Sequence, residues 1–289
     1  MPTVTRFAPS PTGHLHLGHA HAALFAWAMA QAEGGRFLLR IEDIDRQRCR
    51  SGFAAELQED LAWLGLTWEQ PVRRQSEHFS DYSASLDRLK AMEVVYPCFC
   101  SRKDIAAAGY APHLTSGGLG GDDGPVYPGL CRDLSLDQRE AMAGSGRPYA
   151  WRLNMVRALT LTGLLVWHDR AAGPQRVGDG QLNGGHLGDI VLARKDTPAS
   201  YHLCVTTDDA LQEVTLVSRG RDLFHATHSH RVLQALLGLP VPEYHHHDML
   251  SGTDGVRLSK RDGALALRAL RDAGHSSAAV RAMAGFADV

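Results

Sequence analysis

The spacing of hydrophobic positions changes several times along this chain, and each change predicts a different element. "TVTRFAP" (3–9) alternates apolar and polar residues well enough for a short strand, and "SPTG" supplies turn residues after it. The Ala- and Leu-rich run "HAHAALFAWAMAQAEGG" (19–35) then predicts a helix ending at Gly34 and Gly35. "RFLLRIED" (36–43) predicts a second strand, and in "FAAELQEDLAWLGL" (53–66) Phe53, Leu57, Leu61 and Leu64 fall on one helical stripe. Such alternation favours an α/β fold, a parallel sheet covered by helices. The middle differs. Residues 110–129 are rich in Gly, Pro and Asp ("TSGGLGGDDGPVYPG"), which predicts a mobile loop inside an inserted module. Beyond it "YAWRLNM" (149–155) and "ALTLTGLLVWHD" (158–169) predict strands, and β/α character returns over 200–223.

Composition narrows the class. The chain has 289 residues, 44% hydrophobic and 21% charged, which is ordinary for a globular protein with a real core. No uninterrupted apolar stretch is long enough to span a bilayer, and the N-terminal "MPTVTRFAPSPTG" has no basic region followed by an apolar core, so a cytoplasmic protein is expected. The net charge of −2 excludes a generally basic nucleic-acid coat. Any nucleic-acid footprint must be local. The cysteines are odd in number at five, and the cluster Cys98, Cys100 and Cys131 suggests metal sooner than disulfides.

Four imidazoles surround Gly18 in "HLHLGHAH" (14–21). His16 and His19 are three apart across a glycine turn with no acidic partner in the run, which disfavours a metal site. A phosphate cradle uses each feature: a strand ends, Gly13 and Gly18 let the backbone approach an anion, and a helix N-terminus points at it. Far downstream, "VRLSKRDG" (256–263) places Lys260 in a polar loop.

Taken together, "HLGH" (16–19) and "RLSKR" (257–261) resemble the paired HIGH and KMSKS signatures of class I aminoacyl-tRNA synthetases. The words "RFAPSPTG", "RIEDID", "SYHLCVTTDDALQEVTLVSRGRDL" and "RLSKRDG" resemble the glutamyl branch, over most of the chain. The resemblance implies a Rossmann-type catalytic domain in two halves, 1–95 and 200–265, around an inserted, acceptor-binding-like module at 96–199, with a short helical stub at 266–289. It implies activation of glutamate by attack of its carboxylate on the α-phosphate of ATP, which rests on positioning and charge stabilisation. By the same resemblance His16 and His19 stabilise that phosphate. Lys260, with Ser259 beside it, neutralises the departing pyrophosphate, Gly18 belongs to the ATP site, and Mg²⁺ accompanies the nucleotide. Arg257 stands where the loop's first lysine is expected and keeps the charge. Arg6 and Arg219 are expected to face the substrate's carboxylates, Glu42 its ammonium, and Tyr201 and Ser10 add hydrogen bonds; Phe7, Ala8 and Pro9 complete that segment. Read without the resemblance, Glu42 and Arg219 suit structural ion pairs better than a substrate site. Asp43 and Asp45 are read as structural.

Three soft thiolates suit tetrahedral zinc, although spacing alone leaves buried thiols open. The resemblance implies a Cys-x-Cys and Tyr-x-x-x-Cys zinc site at Cys98, Cys100, Tyr127 and Cys131, with Tyr110 and His113 as alternatives to Tyr127. Cys49 and Cys204 read as small buried hydrophobes. "YHHHDM" sets His245, His246 and His247 on an extended segment, where adjacent side chains cannot converge on one ion. Arg46, Arg48, Arg50, Arg73 and Arg74 suit RNA phosphates or a solvated face equally.

Only 29 residues follow Lys260, too few for an anticodon-binding region. This shape resembles the truncated glutamyl-queuosine tRNA(Asp) synthetases of the family. Such a member activates glutamate without tRNA and esterifies it to the cyclopentenediol of queuosine in the anticodon arm of tRNA(Asp), working as a monomer. The rival expectations are a minimal glutamyl-tRNA synthetase charging a 3′ end, a small-molecule nucleotidyltransferase, and a non-catalytic RNA-binding relic.

Overall fold

The computed structural model describes residues 2–109, 127–177, 187–250 and 266–287. Its strands are β1 (Val4–Phe7), β2 (Arg36–Ile41), β3 (Arg73–Arg74), β4 (Val95–Cys98), β5 (Ala150–Leu153), β6 (Leu165–Asp169), β7 (Gly173–Val177), β8 (Val191–Ala193), β9 (Leu216–Gly220) and β10 (Glu243–His247). The helices are α1 (Leu17–Ala32), α2 (Ser51–Trp63), α3 (Phe79–Ala91), α4 (Arg102–Gly109), α5 (Leu136–Gly144), α6 (Met155–Thr162), α7 (Tyr201–Leu211), α8 (Ala226–Leu237), α9 (Leu267–Asp272) and α10 (Ser277–Met283).

The first strand, turn and helix form where the pattern predicts them. α1 buries Ala20, Ala23, Leu24, Ala26 and Ala30. Small side chains on that face let the helix lie close to β1 and β9. The chain then turns at Gly34, whose φ of +60° suits a residue without a Cβ. Gly35 must also be glycine: a Cβ there would sit 2.1 Å from the Thr3 carbonyl oxygen. On α2, Leu57 and Leu61 are buried as the stripe requires, as is Leu64 at its C-cap, and Phe53 is half-buried.

β1, β2 and β3 run parallel in the order β1-β2-β3, with Arg6 opposite Leu38. A second sheet, β7-β6-β10-β9, has β6, β10 and β9 parallel and β7 antiparallel. The two sheets meet where the Thr215 N–H donates to the Val4 carbonyl at 3.0 Å and the Val4 N–H to Thr215 Oγ1 at 2.8 Å. This join sets β9 beside β1, so the carboxyl ends of both strands open on one crevice, the place where such sheets bind ligands. A small antiparallel sheet, β4-β5-β8, carries a separate cluster of Tyr96, Cys98, Phe99, Tyr127 and Cys131. Among the described residues no helix is long and apolar enough to cross a membrane.

Two expectations change. The run 158–169 is not one strand: its first half belongs to α6, whose N-cap Asn154 accepts from the Arg157 N–H and whose buried face is Met155, Ala158 and Leu159. Gly163, at φ +64°, ends that helix, and only then does β6 alternate buried and exposed residues. The segment 96–199 also does not stay together, because the β6–β7 hairpin within it pairs through Tyr244 and Asp169 with β10. Parallel pairing ties β6 to the second sheet, and among the described residues β4, β5 and β8 remain together as the separate small sheet. At the other end, 266–287 forms the two short helices α9 and α10 against α1.

Candidate active site

His16 caps α1. Its Nδ1 accepts from the Gly18 N–H at 3.1 Å, while the His16 N–H donates to His19 Nδ1 at 3.2 Å, a capping box made of two imidazoles. A neutral ring whose Nδ1 accepts carries its proton on Nε2. Both rings therefore carry their proton on Nε2, and both lie at the positive end of α1, where an anion is favoured. A Cβ at Gly18 would lie 3.1 Å from His16 Cε1, so a larger residue there would press on the ring. His14 instead pairs with Glu56 at 3.0 Å and His21 Nδ1 bonds the Ala284 carbonyl at 2.8 Å, so the four imidazoles do not share a ligand. Lys260, Ser259 and Arg257 lie outside the described residues.

A cleft of about 2070 Å³ opens beyond the ends of β1, β2 and β9. Arg6, Phe7, Ala8, Ser10, Glu42, Tyr201 and Arg219 all line it; His16, His19 and Pro9 do not. Pro9 acts through its backbone, whose carbonyl accepts the Glu42 N–H at 3.0 Å. Arg6 is already engaged by Asp209, through Nε at 3.0 Å and Nη2 at 3.2 Å. Arg40, fully buried, reaches Asp209 at 2.8 Å and Glu42 at 3.2 Å. Asp208 is held by Arg73 at 2.7 Å, by Gln75 at 2.8 Å and by the Tyr82 hydroxyl. Burial pushes the Glu42 carboxyl up against the pull of Arg40 and Arg6. Burial also opposes ionisation of Asp209, but there Arg6 and Arg40 win and hold it below the usual carboxylate range.

Arg219 is different. It is only 6% exposed, yet every group it contacts is neutral: Nε meets His246 Nε2 at 3.1 Å, Nη1 meets the Tyr201 hydroxyl at 3.1 Å and His230 Nδ1 at 3.3 Å, and Nη2 bonds Thr227 Oγ1. Among the described residues no carboxylate pairs with it. A buried guanidinium without a counter-ion is costly, and this one lines an open cleft, a placement that suits an anionic ligand.

Sequence reasoning missed Arg40, Asp208 and Asp209. The signal was present: a charged residue inside the otherwise apolar strand "FLLRI" demands a buried partner, and "TTDD" offers two acids. Asp43 accepts from the Ser76 N–H and hydroxyl, and Asp45, at the cleft, pairs with its neighbour Arg48 at 2.6 Å. Arg73 serves Asp208 and Asp81 and not a solvated face. The three consecutive histidines alternate along β10: His246 faces Asp169 at 2.7 Å, while His245 and His247 lie against Phe25.

The cysteines converge. The sulfurs of Cys98, Cys100 and Cys131 lie within 4.8 Å of one another. Tyr127 Oη is 3.3 Å from Cys98 Sγ and 3.4 Å from Cys100 Sγ. Tetrahedral zinc with bonds of about 2.3 Å needs sulfurs roughly 3.8 Å apart, so three thiols and a phenol oxygen fit that ion. Tyr110 and His113 lie outside the described residues. Arg152 covers the Tyr127 ring at 4.0 Å and also lines the cleft, which links the two sites.

The sequence model of the tRNA synthetases class I (E and Q), catalytic domain, matches residues 2–285. This chain belongs to that family. It is 50% identical over 288 residues to a Rhodobacter capsulatus protein named glutamyl-Q tRNA(Asp) synthetase, covering 98% of this chain and 100% of that one. A Symbiobacterium thermophilum protein of the same name is 43% identical over 280 residues, with 94% and 82% covered. Among solved structures, a glutamate tRNA ligase from Elizabethkingia meningosepticum in complex with its amino acid superposes with a TM-score of 0.72 at 27% identity. That match covers 91% of this chain and 53% of the ligase chain. The expected Rossmann-type class I fold is therefore established, and the chain is a ligase of the tRNA synthetase class. As a class I synthetase it has its crevice where the family's fold places chemistry, at the carboxyl ends of parallel strands.

Proposed function

We propose that this chain activates L-glutamate with ATP, without needing tRNA, and transfers it to the cyclopentenediol of queuosine at the wobble position of tRNA(Asp). The observation that carries the amino-acid choice is Arg219, a buried cation without a carboxylate partner among the described residues, facing the same cleft as Arg6 and Glu42. Glutamate brings two carboxylates and one ammonium. In this reading Arg219 takes a carboxylate, Glu42 the ammonium, and Tyr201 and Ser10 hydrogen-bond the bound substrate. Phe7, Ala8 and Pro9 shape the wall beside it.

An α-carboxylate oxygen attacks the α-phosphate, pyrophosphate leaves, and glutamyl-adenylate remains. His16 and His19 donate from Nε2 to the phosphate oxygens as negative charge builds. Lys260 and Ser259 face the departing pyrophosphate, and Gly18 leaves room for the nucleotide. Mg²⁺ bound with ATP offsets the charge of the phosphate chain. A hydroxyl of the queuosine diol then attacks the acyl carbon and expels AMP. We read Cys98, Cys100, Tyr127 and Cys131 as a structural zinc site that fixes the small sheet at the edge of the cleft.

The 50% identical relative, matched over its full length, supports the queuosine acceptor. The glutamate tRNA ligase fold favours the second reading, a minimal synthetase that charges a tRNA 3′ end. Labelled glutamate and ATP, incubated with queuosine-containing and unmodified tRNA(Asp) and followed by nuclease mapping, separate the two. Label confined to the anticodon loop of the modified tRNA is expected. Label at the 3′ end makes the second reading correct, and absence of glutamate-dependent pyrophosphate exchange overturns both.

A further inference from the structure

Arg219 is held by a line of polar groups that runs through the β6–β7 hairpin. Asp169, at the end of β6, accepts from both the backbone N–H of His246 at 3.1 Å and its Nδ1 at 2.7 Å. The Nδ1 proton is thereby fixed, and Nε2 is left as an acceptor pointing at Arg219 Nε, 3.1 Å away. Thr227 Oγ1 bridges the same two groups, bonding Arg219 Nη2 and lying 3.1 Å from His246 Nε2. The ring is boxed by Trp167, Phe224 and Tyr244, so it cannot turn without moving the core. His246 is 3% exposed and does not line the cleft.

We propose that His246, set in one tautomer by Asp169, is a positioning residue that aims the Arg219 guanidinium at the amino-acid carboxylate. The proposal rests on the reading of Arg219 as a carboxylate receiver. Two features favour this role over mere packing. A guanidinium with neutral partners keeps its full charge for the ligand, whereas a carboxylate in place of His246 would cancel it. A flexible arginine would also lose side-chain entropy on binding, and fixing its Nε in advance removes that cost. The carboxylate of Asp169 stays one residue removed from Arg219, and it orients the ring without neutralising the cation. Burial, reinforced by Arg219, keeps His246 neutral, with its pKa lowered to about 4.

Two substitutions of similar size distinguish the role. In His246→Gln the amide reaches the Nε2 position and can still accept from Arg219. In His246→Asn the amide can satisfy Asp169 but stops short of Arg219. Each variant is first checked for folding by its melting temperature, and glutamate affinity is measured by calorimetry and by KM in glutamate-dependent pyrophosphate exchange. The Asn variant is expected to weaken glutamate by about 10- to 100-fold, with KM for ATP unchanged and kcat changed far less. The Gln variant should recover most of the affinity. Equal affinities in the folded Asn variant and the wild type, or losses of the same size for Asn and Gln, overturn the proposal. Arg219→Met separates this from failure of the underlying reading: unchanged glutamate affinity there refutes the carboxylate role of Arg219 itself. A loss in Arg219→Met with none in His246→Asn refutes only the positioning role.

Discussion

Asp209→Asn tests whether the buried charge network is what the cleft is built on. Asp209 accepts three hydrogen bonds from two arginines, at 3.0 and 3.2 Å from Arg6 and 2.8 Å from Arg40. Arg40 would retain Glu42 at 3.2 Å, Gln212 at 3.1 Å and Asp208 at 3.7 Å, but Arg6 would keep only the Ser218 carbonyl at 3.2 Å. The substitution thus strips one buried guanidinium of its counter-ion and turns an NH₂ group toward donors. Breaking a buried pair in this way costs about 3–5 kcal/mol. For a chain of this size that is a fall in melting temperature on the order of 10 °C. Urea unfolding followed by tryptophan fluorescence at neutral pH measures it. Asp81→Asn is the control, because the Arg73–Asp81 pair is one-third exposed on the acid side and should contribute only about 0–1 kcal/mol.

The pH dependence carries the sign. Asp209 is depressed in the folded state, so its contribution is full above the unfolded value near 3.9 and is lost as pH falls through the lower folded value. The stability gap between wild type and Asp209→Asn should therefore be constant near neutrality and shrink in acid. A gap under about 1 kcal/mol at neutral pH, with Asp81→Asn behaving the same, would refute the reasoning.

Glu42 has the opposite sign: burial raises its pKa, so its ionisation opposes folding as pH rises, while binding an ammonium needs it ionised. The kcat/KM for glutamate in pyrophosphate exchange should fall in mild acid with an apparent pKa above 4.5, and Glu42→Gln should abolish that limb while lowering the plateau. Arg219→Met should raise KM for glutamate by about 100-fold or more through loss of a charge-assisted pair, checked against an unchanged KM for ATP. His19→Ala should slow activation by about 10²- to 10³-fold, while loss of its half of the capping box, the bond from the His16 N–H, costs only about 1 kcal/mol of stability, read as a small melting shift. The folded protein should contain about one zinc per chain by atomic absorption, and chelation or Cys131→Ser should lower the melting temperature and loosen the small sheet to proteolysis.

The parts of the fold legible in the sequence are those set by short-range pattern. Alternation, the glycine pair and the Leu57–Leu61–Leu64 stripe each act within one element, and β1, α1, β2 and α2 follow from them. The run 158–169 was ambiguous because a short apolar segment with two threonines suits either period. Its decisive signals were single residues, Asn154 as a cap and Gly163 as a stop. The Cys98 and Cys100 pair was readable as soft ligands, but Cys131 lies 31 residues beyond Cys100, and it was the resemblance that made one site of the three and joined Tyr127 to them. The surroundings of Arg219 were not, because they come from β6, α7, α8 and β10, and no local spacing encodes that meeting.

That long-range meeting has a consequence for selectivity. Asp208 is answered by Arg73, and Asp209 by Arg6 and Arg40, which also reaches Glu42. Among the described residues that line the cleft, what remains is one buried positive charge at Arg219, with the Asp169 carboxylate held behind His246, and, at Glu42, a carboxylate only partly compensated. Free glutamate carries one net negative charge and matches that remainder. Glutamine fills the same volume but presents an amide to Arg219. It loses the attraction between charges, and its NH₂ opposes guanidinium donors that have no other place to turn, because His246, His230 and Thr227 already fix them. A pocket that only measured size would separate the two poorly. One that holds an unpaired cation rigid should reject the amide by a factor of about 10² or more, because binding glutamine leaves a buried charge unanswered.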